Sequence, residues 1–111
     1  MATDAAAAAP WVTERVGLGS AIDPVTGWVW SVTATKHNRV WPGTDSPWTF
    51  AVEGAYDGKM RRAVGFFTEA DCWVYLTTAG HMEADVFSLH GDRETVRREG
   101  LRIPDAYVRR G

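Results

Sequence analysis

Cysteine occurs once, at position 72, so the chain can form neither an internal disulfide nor a cysteine cage for a metal. That usage fits a reducing compartment, and the cytoplasm is the expected location. Long aliphatic residues are scarce, with four Leu and two Ile among 111 residues. No apolar run approaches the roughly 18 to 20 residues that span a bilayer. Residues 1–9 have neither the basic start nor the leucine-rich stretch of a secretory signal, so no membrane association is expected. Chemistry-bearing motifs are missing as well. Gly17-Leu18-Gly19 lacks the third glycine and the lysine of a phosphate loop. No serine sits in a nucleophile elbow, and no zinc-finger, helix-turn-helix or RNP-like pattern occurs. No cofactor and no metal is implied.

Aromatic residues are abundant instead: six Trp, three Tyr and four Phe. An apolar fraction of 45% and a charged fraction of 23% are those of a soluble globular domain, and the length allows one core. That core must be built from Val, Ala and rings. Ten of the twelve basic residues are Arg, and six of those ten fall in 93–111 beside only three acids. The segment therefore carries +3 against −5 for the rest, the sum being the chain's net −2. Such asymmetry suggests that the tail lies against an acidic surface of its own body, a sister subunit or a partner. Tyr107 among these arginines suits a phosphate-contacting arm, but a pI near 5.9 and the interleaved acids argue against nucleic acid.

Three parts are expected: a flexible alanine-rich arm at 1–10, a β-meander domain at 11–92 and an Arg-rich C-terminal segment at 93–111. Period-two alternation with β-branched and aromatic enrichment marks strands from Arg15 onward. A weak strand at 16–22 and a stronger one at 27–36 flank the turn Asp23-Pro24-Val25-Thr26-Gly27. Residues 37–47, with two prolines and a glycine, cannot be a central strand. In 49–68, Asp57-Gly58 suits a type I′ hairpin turn. Its two-residue loop places Glu53 opposite Arg62 as an ion pair, Val52 opposite Ala63, Phe50 over Gly65 and Trp48 opposite Phe67. A second hairpin is expected over 72–90, turning at Thr78-Ala79-Gly80, with Cys72, Val74 and Leu76 on a core face. The competing reading is a short helix opened by a capping box at Thr68 to Asp71. The last segment is either a helix over 92–99 or an edge strand. The fold class is thus mainly β: an antiparallel meander of about six strands, curved into a small barrel or half-barrel, with a short C-terminal helix or arm.

Two constellations follow. Trp28, Trp30, Trp41, Trp48, Phe50 and Trp73 could line a cavity for a flat or apolar molecule, or could simply be core. The outer face of the second hairpin would carry Trp73, Tyr75, His81, Glu83 and Asp85. There Tyr75, His81, Glu83 and Asp85 could do acid–base work, although an ordinary solvated sheet face is the simpler account. The leading functional reading is a small binding protein with an aromatic-lined pocket for an apolar or aromatic small molecule. Close behind is a protein-interaction module of accessory, inhibitor, immunity-like or virion type, using Trp41, Trp48 and the Arg-rich tail. A cofactor-independent enzyme for proton transfer or cyclisation ranks last. An edge strand with a charged arm also makes a homodimer plausible.

Overall fold

The computed structural model describes residues 12–41, 44–78, 81–87 and 93–111, with the backbone alone in 81–87 and 93–99. The expected N-terminal arm lies outside the described residues. Seven antiparallel strands form one sheet: β1 (Val12–Ile22), β2 (Val29–His37), β3 (Trp48–Tyr56), β4 (Lys59–Phe66), β5 (His81–Phe87), β6 (Arg93–Glu99) and β7 (Val108–Arg110). The spatial order β6-β5-β4-β3-β2-β1-β7 is a meander whose last strand returns to the far side of β1. The sheet is open, with β6 and β7 as its edges, rather than closed into a barrel. Both ends of the Arg-rich segment are thus sheet strands, and residues 93–99 take the edge-strand alternative. No helix among the described residues is long and apolar enough to cross a membrane.

Two of the turns sit where the sequence placed them, while the turn expected at Thr78-Ala79-Gly80 lies partly outside the described residues. Asp57 and Gly58 have φ of 54° and 73°, the two left-handed positions of a type I′ turn. In the β1–β2 turn the Asp23 carboxylate accepts from the backbone N–H of Val25 and Thr26, and Gly27 takes φ 79°.

The hairpin register is corrected by one residue. Tyr56 faces Lys59 and Ala55 faces Met60, but beyond a bulge at Arg61 the partners become Gly54 with Arg62, Glu53 with Ala63, Val52 with Val64 and Phe50 with Phe66. The expected Glu53–Arg62 opposition and the Phe50 cover over Gly65 are absent. The reason is burial: the unbulged register would turn Val64 and Phe66 away from the core that buries both. The bulge leaves Arg61 exposed and restores the match of faces.

The larger correction concerns residues 69–77. They form a helix, α1 (Glu69–Thr77), not the first strand of a hairpin. Thr68 caps it, its Oγ1 accepting from the Asp71 N–H, and Glu69 and Asp71 place negative charge in the first turn. Cys72, Trp73, Tyr75 and Leu76 form the buried side, while Val74 points outward. Strand preference in Val and aromatic residues is a weak bias that such burial overrides. The free carbonyls of the last turn also find donors, since Leu101 N–H bonds to Tyr75 O and Ile103 N–H to Leu76 O, both at 2.8 Å.

The helix lies on the face of the sheet that carries Trp30, Val32, Val52, Val64 and Phe66, with Ile103 and Ala21 completing the core. Cross-strand rows Val32–Val52–Val64 and Ala34–Phe50–Phe66 follow directly from the register. Gly54, opposite Trp30, leaves room for the indole to lie on its backbone. On the helix-free face, residues 38–41 and 44–47 fold back over the end of β2. His37 N–H bonds to Pro47 O and Trp41 N–H to Ser46 O, closing the loop at both levels.

Candidate functional site

The six aromatic residues proposed to line a pocket divide between two places. Trp30 is 4% exposed and stacks on Trp28 at 5.5 Å between ring centroids. Its other side meets Tyr75 edge-on at 6.2 Å, and Tyr75 tilts against Phe66 at 5.7 Å. Phe50 packs on this cluster, and Trp73 belongs to it. Trp73 donates Nε1–H to Glu69 Oε2 at 2.9 Å, and the Arg110 guanidinium lies 5.1 Å from its ring centroid. Trp48, opposite Lys36, lies half-buried on the same sheet face by register. Trp41 alone is elsewhere, on the helix-free side, 5.3 Å from His37 and 6.2 Å from Phe67. Trp30 and Trp73 are thus part of the core with Trp28 and Phe50 packed against it, while Trp48 and Trp41 lie outside that cluster.

The acid–base face is not assembled as expected. Tyr75 is on α1 and 1% exposed, whereas His81, Glu83 and Asp85 are on β5, opposite Glu99, Arg97 and Thr95 of β6. Helix formation removes Tyr75 and Trp73 from any strand face shared with those three. Cys72 is fully buried, and burial together with the charges of Asp71 and Glu69 pushes its thiol up to about 12. It is held as the thiol and is no nucleophile.

A different place has the features of a site. At the end of β2, Thr13 of β1 and residues 36–40 and 47 enclose an open cleft of about 480 Å³. Its cations are Lys36 and Arg39, its neutral polar groups Thr13 and Asn38, and its apolar floor Val40 and Pro47. His37 forms the inner wall. Alternation along β2 points His37 to the helix-free face, and Trp41 and Thr49 seal it to 8% exposure. Its Nε2 bonds to Thr49 Oγ1 at 2.9 Å, while Nδ1 is buried with no partner. An orphaned ring nitrogen costs about 1 to 3 kcal/mol, and Trp30 Nε1 in the aromatic core is buried without a partner as well.

Burial lowers the His37 pKa below its ordinary 6.5, and the neighbouring charges of Arg39 and Arg15 lower it further. The ring is therefore neutral at pH 7. Because the folded state binds its proton more weakly than the unfolded chain, stability from this residue is present above pH 6.5 and is lost as pH falls below it. Thermal melts from pH 7.5 to 5 should show a steeper loss of Tm in the wild type than in His37→Gln. Equal slopes would show that His37 does not carry the effect.

Sequence reasoning missed Lys36, His37 and Arg39. The available signal was the polar run Lys36-His37-Asn38-Arg39, where a strand of alternating character gives way to a long loop. No family model matches this chain, and no curated protein and no solved structure matches it.

Proposed function

We propose that this chain is a small-ligand binding module whose ligand docks in the open cleft at the end of β2. The observation that carries this reading is His37, which lines the cleft and is buried with Nδ1 unpartnered; Trp30 Nε1, also buried without a partner, lies in the aromatic core instead. A cleft of about 480 Å³ lies within the roughly 300 to 1,000 Å³ typical of small-molecule sites. A pocket for an apolar or aromatic molecule among Trp28, Trp30 and Phe50 has less support, since those rings are occupied with one another and with Tyr75. Acid–base catalysis through Tyr75 would need a phenol that solvent does not reach.

The interaction-module alternative also has weaker support. Trp41, its central anchor, is folded back on His37 and Phe67. Pairing of two copies through the open part of β1 is opposed by the register shifts at Thr13 and Leu18 and by the exposed charges of Glu14 and Arg15, features that guard sheet edges.

Two-dimensional amide NMR with a library of small anionic, neutral and cationic fragments tests the reading. Saturable shifts confined to Thr13, residues 36–40 and the loop 44–47 are expected. Shifts centred on Trp28 and Tyr75 would move the site to the aromatic core, and an absence of binding by every fragment would remove the reading.

A further inference from the structure

Resting on that reading, we propose that the cleft is selective for small molecules bearing a phosphate- or sulfate-type oxyanion, engaged by Lys36 and Arg39 with Asn38 as a neutral donor. The basis is an uncompensated concentration of positive charge. Lys36 and Arg39 line the cleft, and among the described residues no acidic one does. Arg15 faces the same side of the sheet as His37, being opposite Thr35 in the β1–β2 register.

Among the described residues no acidic group forms an ion pair with Lys36, Arg39 or Arg15, although Glu14 stands opposite Lys36 across the strands. Lys36 and Arg39, two like charges lining one concavity, repel each other, and an anion between them removes that repulsion. The donor set favours a tetrahedral oxyanion. Lys36 offers a point charge with three donors, Arg39 a planar fork, and Asn38 an amide N–H, so several oxygens can be met from different directions. The Thr13 hydroxyl is already committed to Lys36 O at 3.3 Å and serves to fix the strand end.

The neutral His37 ring adds a donor behind these groups when the Thr49 hydroxyl donates to Nε2. That tautomer leaves Nδ1–H as the unpartnered atom. A neutral or cationic ligand would leave the charges of Lys36 and Arg39 unanswered.

The test titrates inorganic phosphate and sulfate into the full chain at constant ionic strength, with chloride as the balancing salt and a neutral diol as control, read by two-dimensional amide NMR. Expected are saturable shifts at residues 36–40 with phosphate or sulfate and none with the diol. Affinity should fall about tenfold or more in Lys36→Met and Arg39→Met, which keep the apolar stem and remove one charge-assisted contact. Arg61→Met, on the distant bulge of β4, should bind as the wild type does, and unchanged spectra elsewhere show that each variant is folded. Phosphate shifts that never saturate, or that survive in both Met variants, overturn the anion selectivity. Neutral fragments binding in the cleft while phosphate does not would overturn this inference and leave the binding-module reading standing. Failure of anions and fragments alike would end both.

Discussion

Alanine at position 54 is expected to destabilise the fold by about 3 kcal/mol, the upper range for forcing extra atoms into a packed core. A Cβ there would lie 2.7 to 2.8 Å from three carbons of the Trp30 six-membered ring. The indole has little room to retreat, because Trp28 is stacked on it at 5.5 Å and Tyr75 stands edge-on to it at 6.2 Å. Shifting the backbone instead would disturb the β2–β3 row that joins Trp30 to Gly54 and the bulge that begins beside it. Urea denaturation of Gly54→Ala, Trp30→Leu and the double variant checks the argument. Trp30→Leu should itself cost about 2 to 4 kcal/mol through lost contact and cavity formation. In that background the added methyl should cost less than about 1 kcal/mol, since its collision partner is gone. Additive costs would mean that Gly54 is required for some reason other than the indole.

The second large effect is expected at Gly19. Its φ of 155° lies in territory that side chains rarely enter, and a Cβ would overlap the Arg109 carbonyl oxygen and come within 2.7 Å of Trp73 Cη2. Both neighbours are fixed. Arg109 pairs with Ser20 and Arg110 with Gly19 in the β1–β7 ladder, and Gly111 N–H bonds to Leu18 O at 2.8 Å. Gly19→Ala should therefore release β7 rather than merely strain it, at a cost of about 2 to 3 kcal/mol. With β7 gone, Arg110 leaves the Trp73 ring and the Arg109-Arg110 pair becomes open to trypsin. Limited trypsin digestion followed by mass measurement should show early loss of the C-terminal residues in Gly19→Ala but not in Arg110→Met. The latter removes only the cation–π contact, worth about 0.5 to 1 kcal/mol at an exposed site. Equal protection of Gly19→Ala and wild type would contradict the close approach of β7.

These two glycines show which constraints escape a reading along the chain. Neither is in a turn, and each is needed because another element arrives at that point: an indole from the neighbouring strand at Gly54, the returning C-terminal strand and a helix ring at Gly19. A glycine in a strand signals that something comes close without naming it. The cleft was hidden for the same reason. Lys36, His37 and Arg39 are close in sequence, but what makes them a candidate site is Trp41 folding back to bury His37, and Thr13 arriving from β1.

By itself the sequence determined the mainly β character, the antiparallel meander, the type I′ turn at Asp57-Gly58 and the Asp23 turn; Cys72 is buried as expected, but on a helix and not on the strand face that alternation implied. The meander and the turns each rest on a signal complete within a few residues, such as alternation or a left-handed turn pair. Tertiary structure decided three further things. It chose helix over strand for Glu69–Thr77, where a Thr68 cap and a core-facing side outweighed β-branched and aromatic content. It chose the bulged register at Arg61, because Val64 and Phe66 had to face inward. It also placed β6 and β7 at opposite edges of one open sheet, so that the Arg-rich segment is divided between them. Local preferences amount to about 1 kcal/mol or less per residue, while burying a large side chain contributes about 1.5 to 3 kcal/mol. Where the two disagree, burial prevails, and which residues can be buried together depends on the whole chain.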